Sequence, residues 1–143
     1  MARRFQVVID AADPRSLARF WAEALGYVEQ PPPEGFDSWD AFADSIGMSE
    51  EERSRYGAVI DPQGNGPRVF FQGVPEAKQV KNRVHLDLRV ADPEAPRDER
   101  DAAIDAEVER LEGFGARRLA AHEEFGFRHV VMADPEGNEF CVT

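Results

Sequence analysis

His85, Asp87 and Arg89 carry the densest chemistry in the chain. Side chains of a strand alternate between its faces, so these three share one face and Leu86, Leu88 and Val90 share the other. An imidazole, a carboxylate and a guanidinium in a row suit a cavity wall that orients a polar ligand; Asp87 and Arg89 could equally pair with each other. Gln6, Val8 and Asp10 alternate in the same way against Val7 and Ile9. The other histidines, His122 and His129, stand near Glu123, Glu124 and Arg128, without ligand spacing to a partner. Trp39, Phe42 and Tyr56 offer aromatic surface, either as a lid over a binding site or as packing. No glycine-rich phosphate loop, Gly-x-Ser-x-Gly elbow or Cys-x-x-Cys pair occurs, so those chemistries lack their usual residues.

The elements that must position these residues follow from local pattern. Phe5–Asp10 is apolar and β-branched, a strand. Asp13-Pro14 caps a helix and opens it, and Leu17, Phe20, Trp21, Ala24 and Leu25 form its buried face up to Gly26. Tyr27–Glu29 begins another strand before Pro31-Pro32-Pro33. Residues 36–56 read as a helical insertion, with Ser49–Glu52 matching a capping box. Ala58–Ile60 and Arg68–Gln72 are strands around an Asp61–Pro67 turn. Val84–Val90 is a strand, and Ile104, Val108 and Leu111 mark a second amphipathic helix. Ala116–Leu119, Glu123–Phe125, Arg128–Ala133 and Glu139–Thr143 complete the strands.

The bulk composition narrows the function classes. The 143 residues are 42% hydrophobic and 31% charged, with a net charge of −11. Such a balance disfavours nucleic acid and anionic membrane surfaces, whose binding draws on Lys and Arg. No apolar run approaches the ~20 residues of a spanning helix. A lone cysteine permits no internal disulfide, and no leader is visible, so a cytoplasmic, reducing location is expected.

The two halves repeat. Gln6–Pro14 aligns with His85–Pro93 without a gap, and Asp61-Pro62-Gln63-Gly64-Asn65 with Asp134-Pro135-Glu136-Gly137-Asn138. Each half runs strand, Asp-Pro, helix, Gly, strands, Asp-Pro-x-Gly-Asn, strand, and an ordered repeat of this length outweighs any single motif.

With Val84–Val90 and the ending Ala133–Val142, this pattern resembles the vicinal-oxygen-chelate superfamily, and within it the glyoxalase-like domains of the glyoxalase, bleomycin-resistance and dioxygenase type. The resemblance implies an α+β fold: two tandem βαβββ modules forming a concave mixed sheet. Module one would cover residues 1–75, with the insertion at 36–56, and module two residues 82–143. It further implies a divalent metal held by the first and last strands of each module and chelated by adjacent substrate oxygens. The matching positions are Gln6 and His85 on the first strands and Cys141 on the last, with Glu139 two residues earlier and Gln72 as the polar counterpart in module one. His85 and Glu139 are then the catalytic candidates. Gln6, Asp87, Arg89, Trp39 and Gln72 are the substrate-binding ones, and His85, Glu139, Gln6 and Cys141 the metal ligands. Family enzymes usually show Glu where Cys141 stands, which leaves open a divalent metal or no cofactor at all. Three functions follow: a metal-dependent lyase, isomerase or dioxygenase on a small oxygenated substrate; a metal-free protein that binds or sequesters an aromatic, drug-like molecule, a cationic one by the apolar and acidic character of the chain; or an interaction module with no small ligand. A homodimer is the implied assembly.

Overall fold

The computed structural model describes residues 1–143 and divides them into two compact units, Met1–Ala77 and Lys78–Thr143. The fold is α+β, with two four-stranded mixed sheets of identical topology.

In the first unit the order is β1 (Val7–Ala11), α1 (Pro14–Leu25), β2 (Val28–Glu29), α2 (Trp39–Ser45), α3 (Glu50–Ser54), β3 (Tyr56–Ile60) and β4 (Val69–Gly73). The strands lie β1-β4-β3-β2, with β1 parallel to β4 and the other pairs antiparallel. Asp13 caps α1 through its Oδ1, which accepts from Ser16 N at 3.0 Å, and Gly26 closes it in the left-handed conformation. Leu17, Phe20 and Trp21 are buried, each contributing about 1.5–3 kcal/mol of transfer free energy. The helix approaches β3 closely at Gly57, where an added Cβ would lie 2.6 Å from the Pro14 carbonyl oxygen. The 36–56 insertion folds as α2 and α3. Ser49 and Glu52 form the expected capping box, and Arg53 ties the two helices through Asp44 at 2.7 Å and the Met48 carbonyl at 2.8 Å.

The second unit runs β5 (Asp87–Leu88), α4 (Arg97–Gly113), β6 (Arg117–Glu124), β7 (Phe127–Ala133) and β8 (Glu139–Val142). Its order is β5-β8-β7-β6, with β5 parallel to β8. Ile104, Val108 and Leu111 bury the inner face of α4. Both Asp-Pro-x-Gly-Asn turns close in the same way. Asp61 accepts from the backbone of Gln63 and Asn65, and Asp134 from that of Glu136 and Asn138, with Gly64 and Gly137 both at positive φ.

Four details depart from the sequence pattern. The strand expected over Val84–Val90 is regular only at Asp87–Leu88, although Leu86, Leu88 and Val90 continue its ladder to β8. It is an edge strand of its sheet, and Val84 is exposed. Asp92-Pro93 forms a turn instead of opening α4, because Ala95 precedes Pro96 and is thereby kept out of helical conformation until Arg97. The separate segments Ala116–Leu119 and Glu123–Phe125 are one bulged strand, β6. Finally, His122 and His129, which lack ligand spacing to a partner in the sequence, stand opposite each other across β6 and β7 with ring centroids 5.4 Å apart. The two-residue turn Phe125-Gly126, both at positive φ, sets that register.

Candidate functional site

The parallel pairing of β5 with β8 sets Asp87 opposite Cys141. His85 lies two residues before Asp87 on the same face, and its Nδ1 is 3.1 Å from Asp87 Oδ1. One ligand atom from each of His85, Asp87 and Cys141 lies within 4.8 Å of the others. His85 and Asp87 are exposed, whereas Cys141 is buried. Burial pushes the Cys141 thiol up from its ordinary value, and the neighbouring Asp87 carboxylate adds to the shift.

This set fits a divalent ion. Donors 2.0–2.3 Å from a tetrahedral ion stand roughly 3.3–3.7 Å apart. His85 Nδ1 and Asp87 Oδ1 already stand 3.1 Å apart, and to hold an ion the most widely separated donors, at most 4.8 Å apart, would have to close by about 1–1.5 Å, a movement open to the exposed His85 and Asp87 side chains. A thiolate with an imidazole and a carboxylate selects zinc or a similarly soft ion over magnesium or calcium.

The remaining sequence candidates are placed differently. Glu139 receives Asn82 N at 2.9 Å and pairs with Lys78 Nζ at 3.1 Å, and these contacts hold its carboxyl below the usual range. Arg89 is exposed. Gln6 and Gln72 belong to the first unit, where Gln6 Oε1 accepts from Arg68 at 2.7 Å and Gln72 Nε2 donates to Asp10 at 2.8 Å. Trp39 lines a cavity of the first unit and donates its Nε1–H to the Gln30 carbonyl at 2.7 Å.

That cavity measures about 380 Å³ and lies between α1, the insertion and the β3–β4 sheet. Its aromatic lining is Trp39, Phe42, Tyr56 and Phe70; Tyr56 stacks on Phe70 with centroids 5.9 Å apart. The lining includes Trp39, a candidate from the sequence, and Arg68, which was not one. The available signal was parity, since Arg68 shares a strand face with Phe70 and Gln72. Asp87, a substrate-binding candidate from the sequence, stands beside His85 on the same strand face.

The glyoxalase-like domain family model matches residues 6–143, and the chain belongs to that family. Its fold is that of the wider glyoxalase, bleomycin-resistance and dioxygenase superfamily. A glyoxalase/bleomycin resistance protein/dioxygenase family enzyme from Burkholderia phytofirmans PsJN is 18% identical, with 96% of this chain and 94% of that chain covered and a TM-score of 0.61. The fosfomycin resistance protein FosX from Mesorhizobium loti is 13% identical over 99% and 90% of the two chains, with a TM-score of 0.63. A FosX variant from Listeria monocytogenes, complexed with Mn(II) and 1S,2S-dihydroxypropylphosphonic acid, is 10% identical over 99% and 91%, with a TM-score of 0.65. At these identities the likeness is one of fold. No curated protein sequence matches the chain.

Proposed function

We propose that this chain acts on a small oxygenated substrate as a metal-dependent lyase, isomerase or dioxygenase, with His85, Asp87 and Cys141 as its metal ligands. The observation that carries this reading is the convergence of those three donors on one sheet face. The Mn(II) complex of the FosX variant supports metal chemistry on this fold. When bound, a divalent ion supplies Lewis-acid polarisation of a substrate oxygen.

The chain's own residues do the rest. Exposed His85 and Asp87 leave the donor face open to an incoming ligand. Asn82 and Lys78 hold Glu139 ionised, a fixed negative charge beside the donor strand. Arg89 offers a guanidinium to an anionic substrate group. Gln6 and Gln72 are engaged by Arg68 and Asp10, so the ligand set rests on the second unit alone.

The two modules, 1–75 and 82–143, form one functional domain in this reading. A single thiol suits a reducing cytoplasm. No helix is long and apolar enough to cross a membrane. The exposed edge strand β6 supports homodimer formation, which sedimentation would test. The second reading, a metal-free binding protein for a small aromatic molecule, is favoured by the cavity beneath the insertion.

Metal analysis of protein purified without chelator tests the first reading. About one equivalent of divalent ion, or its uptake on dialysis against zinc, is expected. Under a tenth of an equivalent with no uptake overturns it.

A further inference from the structure

The cavity of the first unit has a definite charge character. Its lining carries four guanidinium groups, from Arg15, Arg19, Arg53 and Arg68, against the two carboxylates of Glu29 and Asp40. Three of the four are paired. Asp40 lies 3.6 Å from both Arg15 and Arg53, and Glu29 lies 3.6 Å from Arg19. Arg53 has Asp44 as well, at 2.7 Å.

Arg68 has no carboxylate partner. Its Nε donates to Gln30 Oε1 at 2.6 Å and one terminal nitrogen donates to Gln6 Oε1 at 2.7 Å. Both acceptors are neutral amides, which fix the guanidinium without cancelling its charge. The group also lies 4.8 Å from the centroid of Phe70, and the Phe70 ring stacks on Tyr56. Partial burial lowers the Arg68 pKa by desolvation, although a guanidinium remains charged at neutral pH. A fixed, uncompensated guanidinium beside stacked rings is preorganised for a flat, anionic partner.

We propose that this cavity binds a small aromatic carboxylate, its carboxylate on Arg68 and its ring among Trp39, Tyr56 and Phe70. The volume of about 380 Å³ falls at the small end of ligand pockets, which suits one or two fused rings. The proposal gives the second reading its ligand class. It is independent of the metal reading, because every lining residue belongs to Met1–Ala77.

The test is a titration of metal-free full-length protein with naphthalene-2-carboxylate, its neutral carboxamide and the cationic 2-naphthylmethylammonium ion. Calorimetry and Trp39 fluorescence supply the readouts, with Trp39→Phe identifying the fluorescence signal. The carboxylate is expected to bind about 5- to 10-fold more tightly than the amide, since a charge-assisted contact roughly doubles a neutral one. The cation should bind most weakly. Arg68→Met should abolish the carboxylate preference and retain amide binding, which also shows that the variant is folded. His85→Ala should leave the preference intact. Absence of binding by all three probes overturns the cavity as a ligand site. Equal binding of carboxylate and amide, or a preference that survives Arg68→Met, overturns only the anionic ligand class.

Discussion

Gly57→Ala isolates the contact that seats α1 on the first sheet. An alanine Cβ there would lie 2.6 Å from Pro14 O, 3.1 Å from Pro14 C and 3.2 Å from Ala18 Cβ. Ordinary contact begins at 3.4 Å, so the first of these demands a retreat of about 0.8 Å by backbone, not by a flexible side-chain end. The helix cannot retreat freely, because Leu17, Phe20 and Trp21 are packed beneath it. Overpacking of this kind costs about 1–3 kcal/mol, and alanine returns about 0.4–1 kcal/mol by restricting the unfolded chain. The net expectation is a loss of roughly 1–2 kcal/mol. Urea denaturation followed by tryptophan fluorescence reads this unit, since Trp21 and Trp39, the two tryptophans of the chain, both lie in it. The midpoint should fall with the slope unchanged. Gly113→Ala is the control: beyond its chain neighbours and the adjacent helix backbone, no atom lies within 4 Å of its added Cβ at the end of α4. It should stabilise the second unit by about 0.5–1 kcal/mol, read by far-UV circular dichroism. A Gly57→Ala protein as stable as the parent would refute the close-approach argument.

Three further perturbations probe other parts of the molecule. Ser49→Ala removes the capping box of α3 and should cost about 1 kcal/mol locally, so amide exchange at Glu52 and Arg53 should quicken about fivefold; unchanged exchange would contradict the cap. Asp105 is held below its ordinary value of 3.8, chiefly by its hydrogen bond from Arg128 at 2.7 Å. Its stabilisation is therefore complete above the unfolded value and is lost as pH falls through the lower folded one. The stability difference between the parent and Asp105→Asn should shrink to nothing in acid, and a difference independent of pH would count against the pair. Cys141 is buried and its thiol is pushed up, so alkylation of metal-free native protein should run at least about tenfold slower than in urea; rapid native labelling would show an open thiol.

Features governed by neighbouring residues were legible in the sequence. Asp13-Pro14, Gly26 and Ser49–Glu52 act through hydrogen bonds within a few residues, and each stands where its chemistry predicts. The repeat was legible because both Asp-Pro-x-Gly-Asn turns close on their own aspartate. The hairpin was less so. Its turn places Phe125 at positive φ, a conformation that its side chain disfavours, and His122, Glu123 and Glu124 give β6 no apolar alternation. At the site, parity grouped His85 with Asp87, but the approach of Cys141 to Asp87 depends on the β5–β8 register, which no local signal states. The charge of the cavity was hidden for the same reason. The chain carries a net −11, and only the folding of 36–56 against the sheet gathers four arginines around one space.

His85, Asp87 and Cys141 are the proposed metal-binding set. Titration of the full-length protein with cobalt(II), followed by its visible and near-ultraviolet spectrum, tests it most directly. The expected result is saturation at one equivalent, with a sulfur-to-cobalt charge-transfer band that disappears in Cys141→Ser and binding that weakens in both His85→Ala and Asp87→Asn. No uptake by the parent protein, or an identical spectrum and affinity in all three variants, would contradict the account.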